Sequence, residues 1–171
     1  SLVGSEMCIR DRLMNSEIEI VDFSEKYISD VLNVLYESNI LHIKSDPDYF
    51  AKTGKERSLP YLYWILHDPE NFGYVALCDG EVAGIVLAGI EKRNENVYRV
   101  PVYIEVYDIA VSSRFVKKGI GRKLHDKVME RARAERVEQV ELIVYSFNRG
   151  AMEFYKKLHY REVSRTMVID V

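Results

Sequence analysis

A chain of 171 residues is long enough to bury one substantial core and short enough to hold a single domain. Hydrophobic residues make up 47% and charged residues 30%, and no apolar run is long enough to cross a bilayer, so a membrane-spanning protein is excluded. The formal charge of −3 gives no reason to expect a nucleic-acid partner, and the two cysteines, Cys8 and Cys78, form neither a disulfide framework nor a metal spacing, which fits a reducing, cytoplasmic setting.

Residues 1–13 show neither strand alternation nor helical periodicity and open on Ser1 rather than Met. They read as a non-native leader, with Met14 as the natural start and residues 14–171 as the domain. Residues 17–21 alternate apolar and polar as a first strand does. Ser24 is placed to cap a helix from Glu25 to about Leu41, with Ile28, Val31, Leu32, Leu35 and Tyr36 on its apolar stripe. Asp46-Pro47 predicts a short helix carrying Tyr49 and Phe50, and Pro60 a further one to His67. Strands follow at 74–78 and 82–91, joined by the hairpin signal Asp79-Gly80. Residues 102–111 read as a central strand, apolar on both faces except for Glu105 and Asp108.

That strand runs into Val116-Lys117-Lys118-Gly119-Ile120-Gly121 and then into a helix whose Ile120, Leu124 and Val128 recur every four residues. Two glycines ahead of a helix let the backbone approach an anion, and the helix start offers unpaired N–H groups and the positive end of its dipole. Leu124 stands where a dinucleotide fingerprint needs its third glycine, and Arg122-Lys123-Leu124 lacks the Lys-Ser/Thr pair of a P-loop. A second strand, 140–145, precedes Asn148-x-x-Ala151-x-x-Phe154-Tyr155 on a last helix from Arg149 to Leu158, and residues 160–171 read as the closing strands.

From Tyr74 to the C-terminus the chain resembles the GNAT superfamily of acyl-CoA-dependent N-acyltransferases. The resemblance rests on both halves of that signature, the Gly-x-Gly turn with its helix and the Asn-x-x-Ala-x-x-Phe-Tyr segment, in order and correctly spaced. Two positions depart from it. Val116 stands where the family has Arg or Gln, and His159-Tyr160 stands where it has Gly-Phe, so a left-handed turn ending the last helix would be strained. The pattern predicts an α/β mixed sheet with helices on both faces in the order β-α-α-β-β-β-α-β-α-β. The resemblance adds a GNAT-like fold in which two neighbouring strands splay apart to receive the CoA arm.

The resemblance further implies acetyl-CoA as co-substrate, with its pyrophosphate against Val116, Lys117, Lys118, Gly119, Ile120, Gly121 and Arg122. Its arm would lie along Ile109, Ala110 and Val111, with Asn148 and Tyr155 alongside, and its acyl carbonyl would meet a strand N–H between Ile109 and Val111. Tyr155 sits at the family's tyrosine that attends the departing thiolate. Glu105, six residues before Val111, is the candidate base, since an alkyl ammonium with a pKa near ~10 must lose a proton before it attacks. Asp108 is the alternative, and because residues three apart on a regular strand face opposite ways, only a bulge would bring both acids to one substrate. Cys78 has no identifiable base, so direct transfer in a ternary complex is expected rather than an acyl-enzyme. His42, His67, His125 and His159 make no metal pattern.

The segment from His42 to Phe50 falls where the family places its acceptor wall, and Tyr36, Asp46, Asp48, Tyr49 and Phe50 suit a cationic amine. The expected partners are therefore acetyl-CoA and an amine acceptor, a small molecule first, with a protein N-terminus or lysine as the alternative. A sensor that binds acyl-CoA without turnover is the non-enzymatic reading, and a homodimer through the C-terminal strands is open to such a chain.

Overall fold

The computed structural model describes residues 17–171. The expected leader, residues 1–13, lies outside the described residues. The first strand, β1 (Ile18–Asp22), leads through a 3-10 turn (Glu25–Tyr27) into the helix α1 (Ile28–Ser45). Helix α2 (Leu59–His67) follows a second 3-10 turn (Lys55–Ser58), with Pro60 in its first turn as the sequence implies. The strands β2 (Asn71–Cys78), β3 (Glu81–Lys92) and β4 (Val102–Val111) then form a meander. Helix α3 (Ile120–Ala134), strand β5 (Val140–Leu142) and helix α4 (Arg149–Lys157) complete the order.

The sheet runs β1-β2-β3-β4-β5, antiparallel except for the parallel β4–β5 pair. Each face is covered. Val31, Leu35, Leu62, Ile65, Val75, Ile85 and Leu87 form the core between the sheet and helices α1 and α2. On the other face, Val86, Ile104, Val106, Ile120, Leu124 and Val128 form the core under α3, and the three α3 residues are those of its four-residue repeat. Asp79 and Gly80 are both left-handed (φ 51° and 84°), which matches the twist of the β2–β3 hairpin.

Three expectations need correction. No helix forms at Pro47: the Asp46 carboxylate accepts the Tyr49 N–H (3.2 Å) and its carbonyl accepts that of Phe50 (3.0 Å), a single turn that goes no further before Gly54. The strand expected over 140–145 stops at Leu142, so Ile143 is 78% exposed. Residues 160–171 form no strand; Val163, Met167, Val168 and Ile169 are exposed, because alternation sets which way side chains face but supplies no partner edge. Among the described residues, no helix is long and apolar enough to cross a membrane.

His159 does take the strained position. It has φ 66°, its N–H reaches the Lys156 carbonyl and the Tyr160 N–H reaches that of Tyr155, each at 3.0 Å, which is a Schellman motif. Helix α3 ends the same way with Arg136 at φ 57°. In both turns the hydrogen bonds hold a conformation that glycine would take without cost.

Candidate functional site

The β4–β5 ladder covers only Ile104–Val106 opposite Val140–Leu142. Beyond it β4 runs on to Val111 while the other chain leaves the sheet, and the gap between them opens into a cavity of about 510 Å³. Its walls are Val106–Ile109 on one side and Leu142–Tyr145 on the other. Ser38, Asn39, His42 and Tyr61 close it from helices α1 and α2, and Asn148, Ala151 and Tyr155 from α4. The splayed pair is thus present, and the cavity passes through the fork from the α1–α2 side of the sheet toward α4.

A bulge decides which acids face this cavity. In the β3–β4 register Leu87 pairs with Asp108 and Ala88 with Val106, leaving Tyr107 as an extra residue. Glu105 pairs with Gly89, so both acids lie opposite β3 residues of one parity and share the face that carries α1 and α2. A side-chain carbon added at Gly89 would fall 2.2 Å from the Tyr107 hydroxyl, so the glycine leaves room for that ring, which bonds Glu91 and Asn71.

Asp108 lines the cavity and Glu105 does not. The Tyr61 hydroxyl donates to Asp108 Oδ2 at 2.8 Å. Burial raises the Asp108 carboxyl above the ordinary aspartate value, against the pull of the Tyr61 hydrogen bond and the charge of His42. The same burial, with the aspartate beside it, holds the Tyr61 phenol far above its usual range. Glu105 is raised too, by burial first and then by Glu91 and Glu141. Its surroundings are those two acids and Tyr103, outside the cavity.

Tyr155, expected beside the leaving group, is 9% exposed and lines the cavity. Burial, then Tyr160 and Asp108, raise its phenol well above 10, so it keeps its proton at neutral pH and can donate. Asn148 lines the cavity and also caps α4, its side chain accepting the Ala151 N–H at 3.1 Å. Of the strand residues expected along the CoA arm, Ile109 lines the cavity, whereas Ala110 packs into the core on the α1–α2 face.

Past the end of β4 the chain makes a 3-10 turn (Ser113–Phe115) and the Val116–Arg122 loop, outside the cavity. Lys117 and Gly119 are both left-handed (φ 63° and 75°), which curls this loop tightly before α3 begins at Ile120. The Lys123 N–H closes the first helical turn onto the Gly119 carbonyl at 3.1 Å, so the preceding N–H groups have no intrahelical acceptor. A side-chain carbon at Gly121 would sit in ordinary contact with Phe154 at 3.5 Å and Val111 at 3.9 Å, whereas one at Gly119 would meet nothing within 4 Å. Glu37 of α1 anchors the loop's start, accepting the Ser113 N–H (2.8 Å) and the Ser112 hydroxyl (3.1 Å).

On the α1 side the wall is aromatic. His42 contacts Phe50, Tyr145 and Phe147 with ring centroids 5.3, 5.3 and 5.4 Å away, and Tyr145 stacks parallel to Phe147. His42 and Phe50 line the cavity, while Tyr36, Asp46, Asp48 and Tyr49 do not. Tyr61 and Arg57 carry no mark as lining residues in the chain itself, because neither belongs to a motif and each arrives through the packing of residues 55–67 against α1 and the sheet. Arg57 and Asp108 are the charged residues of the lining, and His42 is its one histidine.

A forked sheet with a curled loop ahead of α3 at one end and a buried acid at the other is the frame of a group-transferase fold, and the family follows from comparison. The model of the acetyltransferase (GNAT) family matches residues 39–160, and the chain belongs to that family. An N-alpha-acetyltransferase of Sulfurisphaera tokodaii is 33% identical over 128 residues, 70% of this chain and 77% of the relative. A Bacillus halodurans protein superposes with a TM-score of 0.79 at 19% identity, over 90% of this chain and 99% of that one. An aminoglycoside N-acetyltransferase solved in complex with CoA superposes with a TM-score of 0.68 at 15% identity, over 92% and 96% of the two chains. At those identities the two structures speak to the fold, which is the GNAT fold the sequence implied.

Proposed function

We propose that this protein transfers the acetyl group of acetyl-CoA directly to a primary amine that carries one positive charge and a short apolar body. The observation that carries this reading is the fork: one cavity is lined by Asp108 on the α1–α2 side and by Tyr155 and Asn148 on the α4 side. The curled Val116–Arg122 loop takes the pyrophosphate on its backbone N–H groups, and its screened lysines add charge attraction. A backbone N–H between Ile109 and Val111 polarises the thioester carbonyl. Asp108 receives the acceptor ammonium on its Oδ1, since Oδ2 is engaged by Tyr61. Tyr155 donates a hydrogen bond to the departing thiolate.

The charge of the lining argues for the acceptor class. One carboxylate and one arginine among so many neutral and aromatic groups suit a monoamine far better than a polycation. A second reading, the α-amine of a polypeptide, is favoured by the 33% identity to an N-alpha-acetyltransferase.

Thiol release from acetyl-CoA, followed with 2-phenylethylamine, spermidine, an aminoglycoside and a tetrapeptide with a free amino terminus, tests both. Fastest turnover of the arylalkyl amine supports the first reading, and fastest turnover of the peptide the second. CoA binding without turnover of any amine would leave a sensor.

A further inference from the structure

We propose that His42 is a catalytic residue whose Nε2 takes the first proton from the acceptor ammonium held at Asp108. This rests on the transferase reading above.

The His42 Nδ1 lies 2.8 Å from the Ser38 carbonyl oxygen, which can only accept, so Nδ1 carries the hydrogen. In the neutral ring Nε2 is then a bare lone pair, and it is the nitrogen left for a ligand. The Phe50, Tyr145 and Phe147 contacts come from two separate segments and hold the imidazole in place without using that nitrogen as an ordinary polar contact would. His42 lines the same cavity as Asp108 and Tyr61.

The chemistry asks for such a group. A carboxylate beside an ammonium stabilises the cation and so holds the proton on nitrogen, across a gap of roughly six pKa units between a carboxylic acid and an alkylammonium. An imidazole narrows that gap, and its charge changes within the range in which enzymes work. Among the lining groups, the Tyr61 hydroxyl is spent on Asp108 and Arg57 can only donate.

The ammonium gives one proton to His42 Nε2, and the freed lone pair forms the C–N bond at the thioester carbonyl. As the C–S bond breaks, the second nitrogen proton, made acidic by that bond, goes to the sulfur beside Tyr155. The products are the amide and CoA thiol, and His42 passes its proton to solvent.

The test is the pH profile of kcat/KM for 2-phenylethylamine and for the free-amino tetrapeptide, in the wild type, His42→Gln, His42→Ala and Asp108→Asn. Asp108, Tyr61, Arg57, Tyr107, Tyr145 and Tyr155 are the other titratable groups of the cavity, and the Asp108 variant separates the one carboxylate among them. We expect His42→Gln to lose at least ~100-fold in kcat. It keeps the wild-type acetyl-CoA affinity by calorimetry and loses the acid limb of the profile, which Asp108→Asn retains. Added imidazole restores rate to His42→Ala in proportion to its free base. Wild-type kcat and acid limb in His42→Gln, or an effect confined to the amine KM without imidazole rescue, would overturn the proposal while leaving the transferase intact. A wild type that acetylates neither amine overturns both.

Discussion

The hydroxyl of Tyr61 and the Oδ2 of Asp108 are 2.8 Å apart, a bond from α2 to the bulged part of β4 that leaves the other carboxylate oxygen for a ligand. Removing the charge while keeping the shape, Asp108→Asn, should lower kcat/KM for the amine by on the order of 100-fold with little change in acetyl-CoA affinity. It should also stabilise the fold at neutral pH. Burial raises the Asp108 pKa above its ordinary 3.8, so the folded state takes this proton more readily than the unfolded chain does. That contribution is complete below the unfolded value and lost as pH rises through the folded one. The difference in melting temperature, variant minus wild type, should therefore grow from pH 4 to pH 8; a difference that shrinks over this range would contradict the burial argument.

Glu105 stands on the same face as Asp108 but outside the cavity, beside Glu91 and Glu141. Glu105→Gln should reduce kcat by less than ~10-fold, short of the loss that follows removal of a general base. It should leave stability unchanged or slightly raised, because a charge next to two others is gone. Steady-state kinetics beside Asp108→Asn decides it: an equal or larger loss in Glu105→Gln would make Glu105 the base, working through water.

What could be read from the chain depended on how local its cause was. The bounds of β4 were legible because its hydrophobic run and the glycines after it are contiguous, and the α3 stripe because Ile120, Leu124 and Val128 repeat at helical spacing. The bulge at Tyr107 was not legible, although it brings Glu105 and Asp108 to one face, since a bulge is a mismatch between two strands and leaves no mark on either alone. Nor was Tyr61, which meets Asp108 only after α2 has packed on the sheet. The tail shows the complementary failure: 160–171 has alternation enough for a strand, yet no pairing holds it in the sheet.

Gly119 and Gly121 separate backbone strain from ligand space. Gly119→Ala puts a side chain on a backbone at φ 75°, which should cost about 1 kcal/mol of stability and loosen acetyl-CoA as well. Gly121→Ala meets Phe154 at an ordinary 3.5 Å, so the protein itself should accept it with an unchanged melting temperature. If the pyrophosphate lies against this backbone, its acetyl-CoA KM should still rise on the order of tenfold, a loss of about 1.4 kcal/mol. An unchanged KM in Gly121→Ala would move the phosphate away from this loop.

The two Schellman turns end on residues that are not glycine, His159 at φ 66° and Arg136 at φ 57°. His159→Gly and Arg136→Gly should each stabilise by roughly 1 kcal/mol, since glycine takes that backbone without the steric cost borne by a side chain. For a domain of this size that corresponds to about 2–4 °C in Tm. The gain at Arg136 should be the cleaner one, because its neighbour Val137 keeps its contact with the α3 core, whereas Tyr160 after His159 also bonds His125 at 3.2 Å. A fall in Tm for Arg136→Gly would mean that the unfolded chain gains more from the added freedom than the turn gains from relief.

Glu37 links the acceptor-side helix to the loop proposed for the carrier. Its two oxygens accept from Ser112 and Ser113, so the carboxylate fixes where the chain leaves β4 for the 3-10 turn and the curled segment beyond it. Glu37→Gln keeps the length but weakens the bond to the Ser113 N–H, and the acetyl-CoA KM should rise a few-fold with kcat retained. The Ser113 backbone bond leads the causes that hold the Glu37 carboxyl below its ordinary value, so the sign here is opposite to that of Asp108. Its stabilising contribution is present above the unfolded pKa near 4.5 and lost as pH falls through the lower folded one. The melting temperature of Glu37→Gln should therefore lie below that of the wild type at pH 7 and converge with it toward pH 3. A gap that persists at pH 3 would assign the loss to packing rather than to the charged hydrogen bonds, and the carboxylate would then be no anchor for the loop.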